Sequence, residues 1–261
     1  MDTDAEISER DRSPDPVAGP EQRSRFARFS WLSGGGPWRR VGLLAAVCVT
    51  CVALLSAFVV QPFLIPSTSM ENTFKVGDRV LVNKLAYRFG DAPQRGDVVV
   101  FDGTGSFVEE EPPSNPVTSL LRSAFAAVGL AEAAETDYVK RVVGIGGDRV
   151  TCCDKQGRIK VNGQPVDEDY LYPGDAPSQV PFDIVVPEGK LWVMGDHRSA
   201  SRDSRDRLGA PGGGYVPEGK VIGRADWIGW PLNRLRSLHR PDVFARVPEP
   251  GSAHGTARGD G

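Results

Sequence analysis

Arg95-Gly-Asp-Val-Val-Val-Phe101 sets the character of the chain: a Gly-Asp turn runs straight into a short, β-branched apolar stretch. Gly and Asp favour tight turns, whereas Val, Ile and aromatic residues favour the pleated surface of a strand. The pattern recurs along the sequence. Val76-Gly-Asp-Arg-Val-Leu-Val-Asn-Lys84 precedes it, and Val139 to Val150 follows, interrupted by Gly144-Ile-Gly-Gly-Asp148. Arg158-Ile-Lys-Val-Asn-Gly163 ends in an Asn-Gly hairpin signal. Phe182 to Val186, Lys190 to Met194 and Val216 to Trp230 extend the series. Many short strands with closely spaced turns predict a mostly β fold, a barrel-like antiparallel domain. Residues 102–137 break the pattern with Glu109-Glu-Glu-Pro-Pro113 and a helical stretch from Val117 to Ala134, read as a small insertion packed on the β domain.

Working towards the N-terminus, Val41 to Val60 carries no charge. About 20 such residues, at a rise of about 1.5 Å each, span the roughly 30 Å hydrocarbon core of a bilayer as a helix. Residues 1–22 are too polar to bury a core and read as disordered. Arg23, Arg25, Arg28, Arg39 and Arg40, with Trp31 and Trp38 among them, form a basic, aromatic approach to the span. Positive charge before a span predicts a cytoplasmic N-terminus, and aromatic rings suit the headgroup layer. A cleaved signal peptide is the competing reading, but the exit Phe58-Val-Val-Gln-Pro-Phe63 offers no small-x-small cleavage site. The resulting organisation is a cytoplasmic tail over 1–40, a transmembrane helix over 41–60, an extracytoplasmic β catalytic domain over 61–235 and a disordered tail over 236–261.

Bulk composition narrows the function. The formal net charge of -3 gives no polyanion signal, so nucleic acid is not expected as a partner. Cys48 and Cys51 lie one helical turn apart inside the apolar run, where they read as packing residues. Cys152 and Cys153 are adjacent. Bridged cysteines normally have Cα atoms about 4.4–6.8 Å apart while neighbours are about 3.8 Å apart. A free buried pair is therefore the expectation, with a strained bridge as the alternative. Neither pair has the partners of a zinc site, and no metal or cofactor is expected.

Two serines and one lysine carry the chemical interest. Ser67 and Ser69 stand in Phe63-Leu-Ile-Pro-Ser-Thr-Ser-Met70, just past the span. A fully extended chain covers only about 3.3–3.6 Å per residue, which keeps Ser69 within roughly 30 Å of the bilayer. A serine hydroxyl needs a base within hydrogen-bond reach. Lys140 lies in Tyr138-Val-Lys-Arg-Val-Val143, where alternation puts Tyr138, Lys140 and Val142 on one face. Desolvation there would lower the lysine pKa and free the amine to accept a proton. The plain alternatives are a strand lysine whose head reaches water and an ordinary Pro-Ser-Thr-Ser turn. Among the three histidines, only His197 in Met194-Gly-Asp-His-Arg198 is placed to act as a base instead. The sequence holds no Gly-x-Ser-x-Gly, Ser-x-x-Lys or His-Glu-x-x-His motif.

Four stretches in order carry a family resemblance. Phe63 to Thr73, Arg95 to Phe101, Tyr138 to Gly144 with Gly147-Asp148, and Met194-Gly-Asp-His-Arg-Ser-Ala-Ser-Arg-Asp-Ser-Arg205 closely resemble the sequence boxes of bacterial type I signal peptidases, the serine–lysine family S26. The resemblance covers roughly residues 41–235. It implies a membrane-bound endopeptidase that removes signal peptides after Ala-x-Ala-type sites. Ser69 then looks like the nucleophile and Lys140 like the general base. Ser67 matches the oxyanion-hole hydroxyl, and Ser201 the serine that orients the lysine. Asp196, Arg141, Asp203 and Arg205 match supporting ion pairs. Ile65, Pro66, Met70, Phe74, Tyr138 and Val139 resemble the lining of shallow pockets for small side chains. The partners implied are signal peptides of exported preproteins, membrane lipid and the secretion translocon. Asn72 stands where the family commonly has proline, and His197, Ser199 and Ala200 replace three positions of the last box. A peptidase with a narrower set of envelope substrates, and a silent tethered domain that binds exported chains, are the competing functions.

Overall fold

A computed structural model describes residues 37–108 and 136–251, which divide between Val47 and Cys48 into two compact units. The expected helical stretch over 117–134 and the outer parts of both tails lie outside the described residues.

Helix α1 covers Pro37–Phe58, 22 residues. Proline suits a first helical position because its missing N–H would be unpaired there in any case. The apolar side chains are exposed along this helix, which at a mean hydropathy of 1.7 over Pro37–Leu55 is long and apolar enough to cross a membrane. The helix begins four residues before the expected span and stops two before its expected end. Apolar residues read alike on both sides of the stop. What ends the helix is pairing: β1 (Val60–Leu64) runs antiparallel to β2 (Arg79–Asn83), with Val60 opposite Asn83.

The remaining strands are β3 (Val98–Asp102), β4 (Asp137–Gly144), β5 (Arg149–Cys152), β6 (Lys160–Val161), β7 (Gln164–Pro165) and β8 (Phe182–Val185). They are followed by β9 (Lys190–Met194), β10 (Val216–Pro217), β11 (Val221–Trp230) and β12 (Arg236–Ser237). The larger sheet has the order β1-β2-β11-β3-β4-β9-β10, with β12 on β11, and the smaller one the order β7-β6-β5-β8. Every strand pairing is antiparallel. The mostly β expectation holds.

The continuous apolar run at Val98–Phe101 has a structural cause. Val98 and Val100 enter one core cluster with Phe63, Ile65, Met70 and Phe74, while Val99 and Phe101 enter another with Phe107, Val142 and Leu191. Strand β3 is buried on both faces, so it carries apolar residues at every position rather than every second one. A third cluster around Trp192, Val150, Ile159 and Val161 joins the smaller sheet to β9. Each such large side chain contributes about 1.5–3 kcal/mol when fully buried.

The Gly-Asp turns share one construction. Asp78, Asp97 and Asp148 each accept the backbone N–H three residues earlier, from Lys75, Gln94 and Ile145, at 2.8, 3.0 and 2.9 Å. Gly77, Gly96 and Gly147 precede them with φ of 90°, 90° and 82°, where a Cβ would be strained. An arginine then neutralises each acid: Arg234 on Asp78, Arg240 on Asp97 and Arg95 on Asp148.

Two of those arginines belong near or within the segment expected to be a disordered tail, and over 236–251 that expectation fails. Ser237 pairs with Trp227, Arg240 holds Asp97, and Phe244 and Val247 are buried in the Trp192 cluster. The Pro- and Gly-rich composition hid two apolar anchors spaced too sparsely to form a periodic pattern. Cys152 and Cys153 also differ from expectation: they are joined in a vicinal disulfide, with Cys153 exposed.

Candidate active site

Ser69 sits in a one-turn 3₁₀ helix, Thr68–Met70, that follows the extended Ile65–Ser67 segment. Pro66 cannot continue a ladder, and Ser67 and Thr68 favour turns, so the chain leaves β1 here and doubles back. Met70 goes into the core beneath and fixes the turn. Ser69 is itself buried, at 7% exposure.

Lys140 approaches from β4, which pairs with the doubly buried β3, Lys140 lying opposite Val99. Its Nζ stands 2.7 Å from Ser69 Oγ, and its side chain is also buried. Burial lowers the amine to about 8, while the carboxylates of Asp203 and Asp196 pull the other way. Ser67 Oγ lies 3.3 Å from Ser69 Oγ. The lysine head does not reach water, and the Pro-Ser-Thr-Ser stretch, a turn as its composition suggests, also brings Ser69 to that amine.

Beside the pair lies a cleft of about 220 Å³. Ile65, Pro66, Met70, Tyr138 and Val139 line it, as does Ser67. Phe74, expected with them, is fully buried in the core behind Met70 and takes no part in the lining. Phe63, Leu64 and Asp137 do line it, and sequence reading missed them. Adjacency to Ile65 and to Tyr138 was the signal available.

The expected ion pairs form. Arg141 grips Asp196 through two hydrogen bonds of 2.8 and 2.6 Å, and Arg205 grips Asp203 through two of 2.8 Å. Asp203 also accepts the Gly195 N–H at 3.0 Å and caps the short turn Ser204–Arg207. Burial would raise the Asp203 carboxyl, but Arg205 and these hydrogen bonds hold it below the usual carboxylate range. Asp196 further accepts the Thr73 hydroxyl, tying the turn after Ser69 to the strand that carries Lys140. Sequence reading did not find the layer below. Tyr170 stacks under the Arg141 guanidinium at 4.2 Å, and Glu168 holds both Tyr170 and Arg198.

Ser201 departs from expectation. Its hydroxyl is buried beside the Asp203 carboxylate, which it helps hold down, and among the described residues it makes no hydrogen bond to Lys140. Gly195 lies against it: a Cβ there would come within 2.3 Å of Ser201 Oγ and 2.4 Å of the Ser69 carbonyl oxygen. His197 makes no hydrogen bond to Ser69 Oγ. Its backbone N–H donates to the Ser69 carbonyl at 3.1 Å, while its ring stacks on Tyr172 and faces Glu71. No group of His, Cys, Asp and Glu able to hold a metal occurs among the described residues.

Comparison with known proteins follows the same lines. Residues 38–230 match the family model described as signal peptidase, peptidase S26. The chain is 35% identical over 264 residues to a probable signal peptidase I of Mycobacterium leprae, covering 90% of this chain and 86% of that one. It is 37% identical to signal peptidase I of Mycobacterium tuberculosis, over 86% and 81% of the two chains. It is 29% identical to signal peptidase IB of Staphylococcus aureus, over 76% and 92%.

Proposed function

The chain belongs to the signal peptidase family, peptidase S26, and is a hydrolase of the serine peptidase class; from that premise we propose that it removes signal peptides from exported preproteins by a Ser69–Lys140 mechanism. The observation that carries the proposal is the 2.7 Å approach of Lys140 Nζ to Ser69 Oγ at the edge of a cleft.

In this reading neutral Lys140 takes the Ser69 proton as Oγ attacks the scissile carbonyl. The developing oxyanion is held by the Ser67 hydroxyl and the Ser69 backbone N–H. Such a donor stabilises the transition state by about 2.7–4 kcal/mol. The Lys140 ammonium then protonates the leaving amine, and the acyl group stays on Ser69. Lys140, neutral again, activates the water that releases it. The buried setting makes one group serve as base and acid in turn, because an amine near pKa 8 changes state close to working pH.

The cleft is small and apolar where Ile65, Pro66, Met70 and Val139 meet. A volume of about 220 Å³ suits short side chains, in keeping with Ala-x-Ala before the cut. Helix α1 would anchor the chain as a single span with the N-terminus cytoplasmic and the β domain outside. Membrane lipid and the secretion translocon are the partners this implies.

The test is cleavage of a radiolabelled preprotein carrying an Ala-x-Ala site, in detergent or vesicles. Wild type should cut after the second alanine, and Ser69→Ala and Lys140→Ala should not. Cleavage that survives Lys140→Ala would remove lysine as the base and return attention to His197. Binding without cleavage by wild type would favour a tethered binding domain.

A further inference from the structure

The cleft does not take in every group that touches the Ser69 turn. The cleft is lined from Phe63 to Met70 and from Asp137 to Lys140, and none of Glu71, Tyr172 or His197 belongs to it. Those three gather outside it, around the Ser69 backbone carbonyl. The His197 N–H donates to the Ser69 carbonyl at 3.1 Å, its ring stacks on Tyr172 with centroids 3.9 Å apart, and its Nδ1 faces a Glu71 oxygen at 3.6 Å. Tyr172 is anchored in turn, its N–H donating to the Asp196 carbonyl at 3.0 Å. The rim is therefore fixed to the same residue that grips Arg141.

The rim is open to solvent where a ligand could meet it. Tyr172 is 38% exposed and the Glu71 side chain 26%. At 3.6 Å the His197 contact exceeds a hydrogen bond, and among the described residues the Glu71 carboxylate makes no other. It stays available for a cation. A second carboxylate, Asp175, accepts two hydrogen bonds from Ser199 close by and interacts with His197.

A peptide whose scissile carbonyl meets Ser69 Oγ, with its acyl side in the cleft, sends its amine side off the cleft. We infer that the Glu71–Tyr172–His197 rim is the subsite for the first residues after the cut, and that Glu71 makes it favour a cationic side chain over an anionic one. This rests on the peptidase reading above. Tyr172 and His197 supply a flat surface for the peptide, and Glu71 the charge discrimination. Part of the specificity then lies in the exported product and not in the signal sequence.

The experiment uses the full chain in detergent and peptides with a common Ala-x-Ala segment followed by Lys, Ala or Glu. The peptide with Ala tests the peptidase reading, and the Lys-to-Glu ratio of kcat/KM tests the rim. An exposed charge of this kind should give a ratio of about 3 to 10. Glu71→Gln should bring the ratio close to 1, and Glu71→Lys should invert it. The wild-type ratio should also fall between about 0.01 M and 1 M salt, as the screening length drops from about 30 to 3 Å. The salt measurement needs no variant to fold. A ratio near 1 in wild type, or one that ignores both salt and Glu71→Gln, overturns the rim while leaving the peptidase intact. Failure to cut any of the three peptides overturns both.

Discussion

Asp203 opposes the burial of Lys140: the protein lowers the amine by desolvation and partly restores it with this carboxylate. The nearby Asp196 acts in the same sense. The balance sets the pH at which the lysine becomes a base.

The rate should follow that balance. Lys140 is about 8 in the folded protein against 10.5 for a free lysine. Neutral amine, and with it kcat/KM on the Ala-x-Ala peptide, should rise through about pH 8 and level off above it. A profile flat from about pH 6 to 9 would exclude Lys140 as the base. Asp203→Asn should move the rising limb to lower pH, since a charge favouring the ammonium is gone.

Stability should follow with a definite sign. Between about 8 and 10.5 the folded chain binds fewer protons than the unfolded one, so this lysine makes stability increase with pH across that window. Below about pH 8 the folded state carries a buried ammonium. Lys140→Met keeps the volume and removes the charge. It should abolish turnover and raise the melting temperature at pH 6 to 7, checked by calorimetry with wild type alongside.

Gly195→Ala should damage turnover without touching a reacting group. Its Cβ would meet the Ser69 carbonyl at 2.4 Å, a backbone atom that cannot swing aside. Overpacking of this kind costs about 1–3 kcal/mol in stability. Because the clash falls on the nucleophile's own residue, kcat should drop at least tenfold in protein that remains folded by circular dichroism.

Arg141→Met leaves Asp196 buried with the Thr73 hydroxyl and without its cation. Breaking a buried pair on one side typically costs about 3–5 kcal/mol. Urea denaturation should show a loss of that order. Arg149→Met, which breaks an exposed pair with Asp183, should leave the urea midpoint almost unmoved.

Much of this was legible in the sequence, for physical reasons that differ between elements. The Gly-Asp turns announced themselves because a positive φ and a backbone-capping carboxylate call for those two residues in that order. The pair Ser69 and Lys140 was readable from its sequence boxes, and the lysine's desolvation from its apolar strand. What could not be read depends on contacts distant in sequence. Glu168 and Tyr170 lie in a loop with no periodicity, and only folding brings them under Arg141. Phe74 was expected in the pocket lining from the family resemblance, yet one turn of chain separates the lining position Met70 from the core. The segment 236–251 was misread because two buried residues, Phe244 and Val247, are too few to make a pattern.

The chain from Arg234 onward bears on how the site is held together. Arg234 closes the Asp78 turn, Arg236 donates to the Thr73 carbonyl at 2.7 Å, and Arg240 closes the Asp97 turn. Each joins chain beyond β11 to a turn or loop of the larger sheet, the Arg236 contact lying four residues past Ser69. A nascent chain long enough to contain both Ser69 and Lys140 would still lack these clasps. A chain cut before Arg234 should therefore keep both reacting groups and yet fail to seat the Ser69 turn against β4.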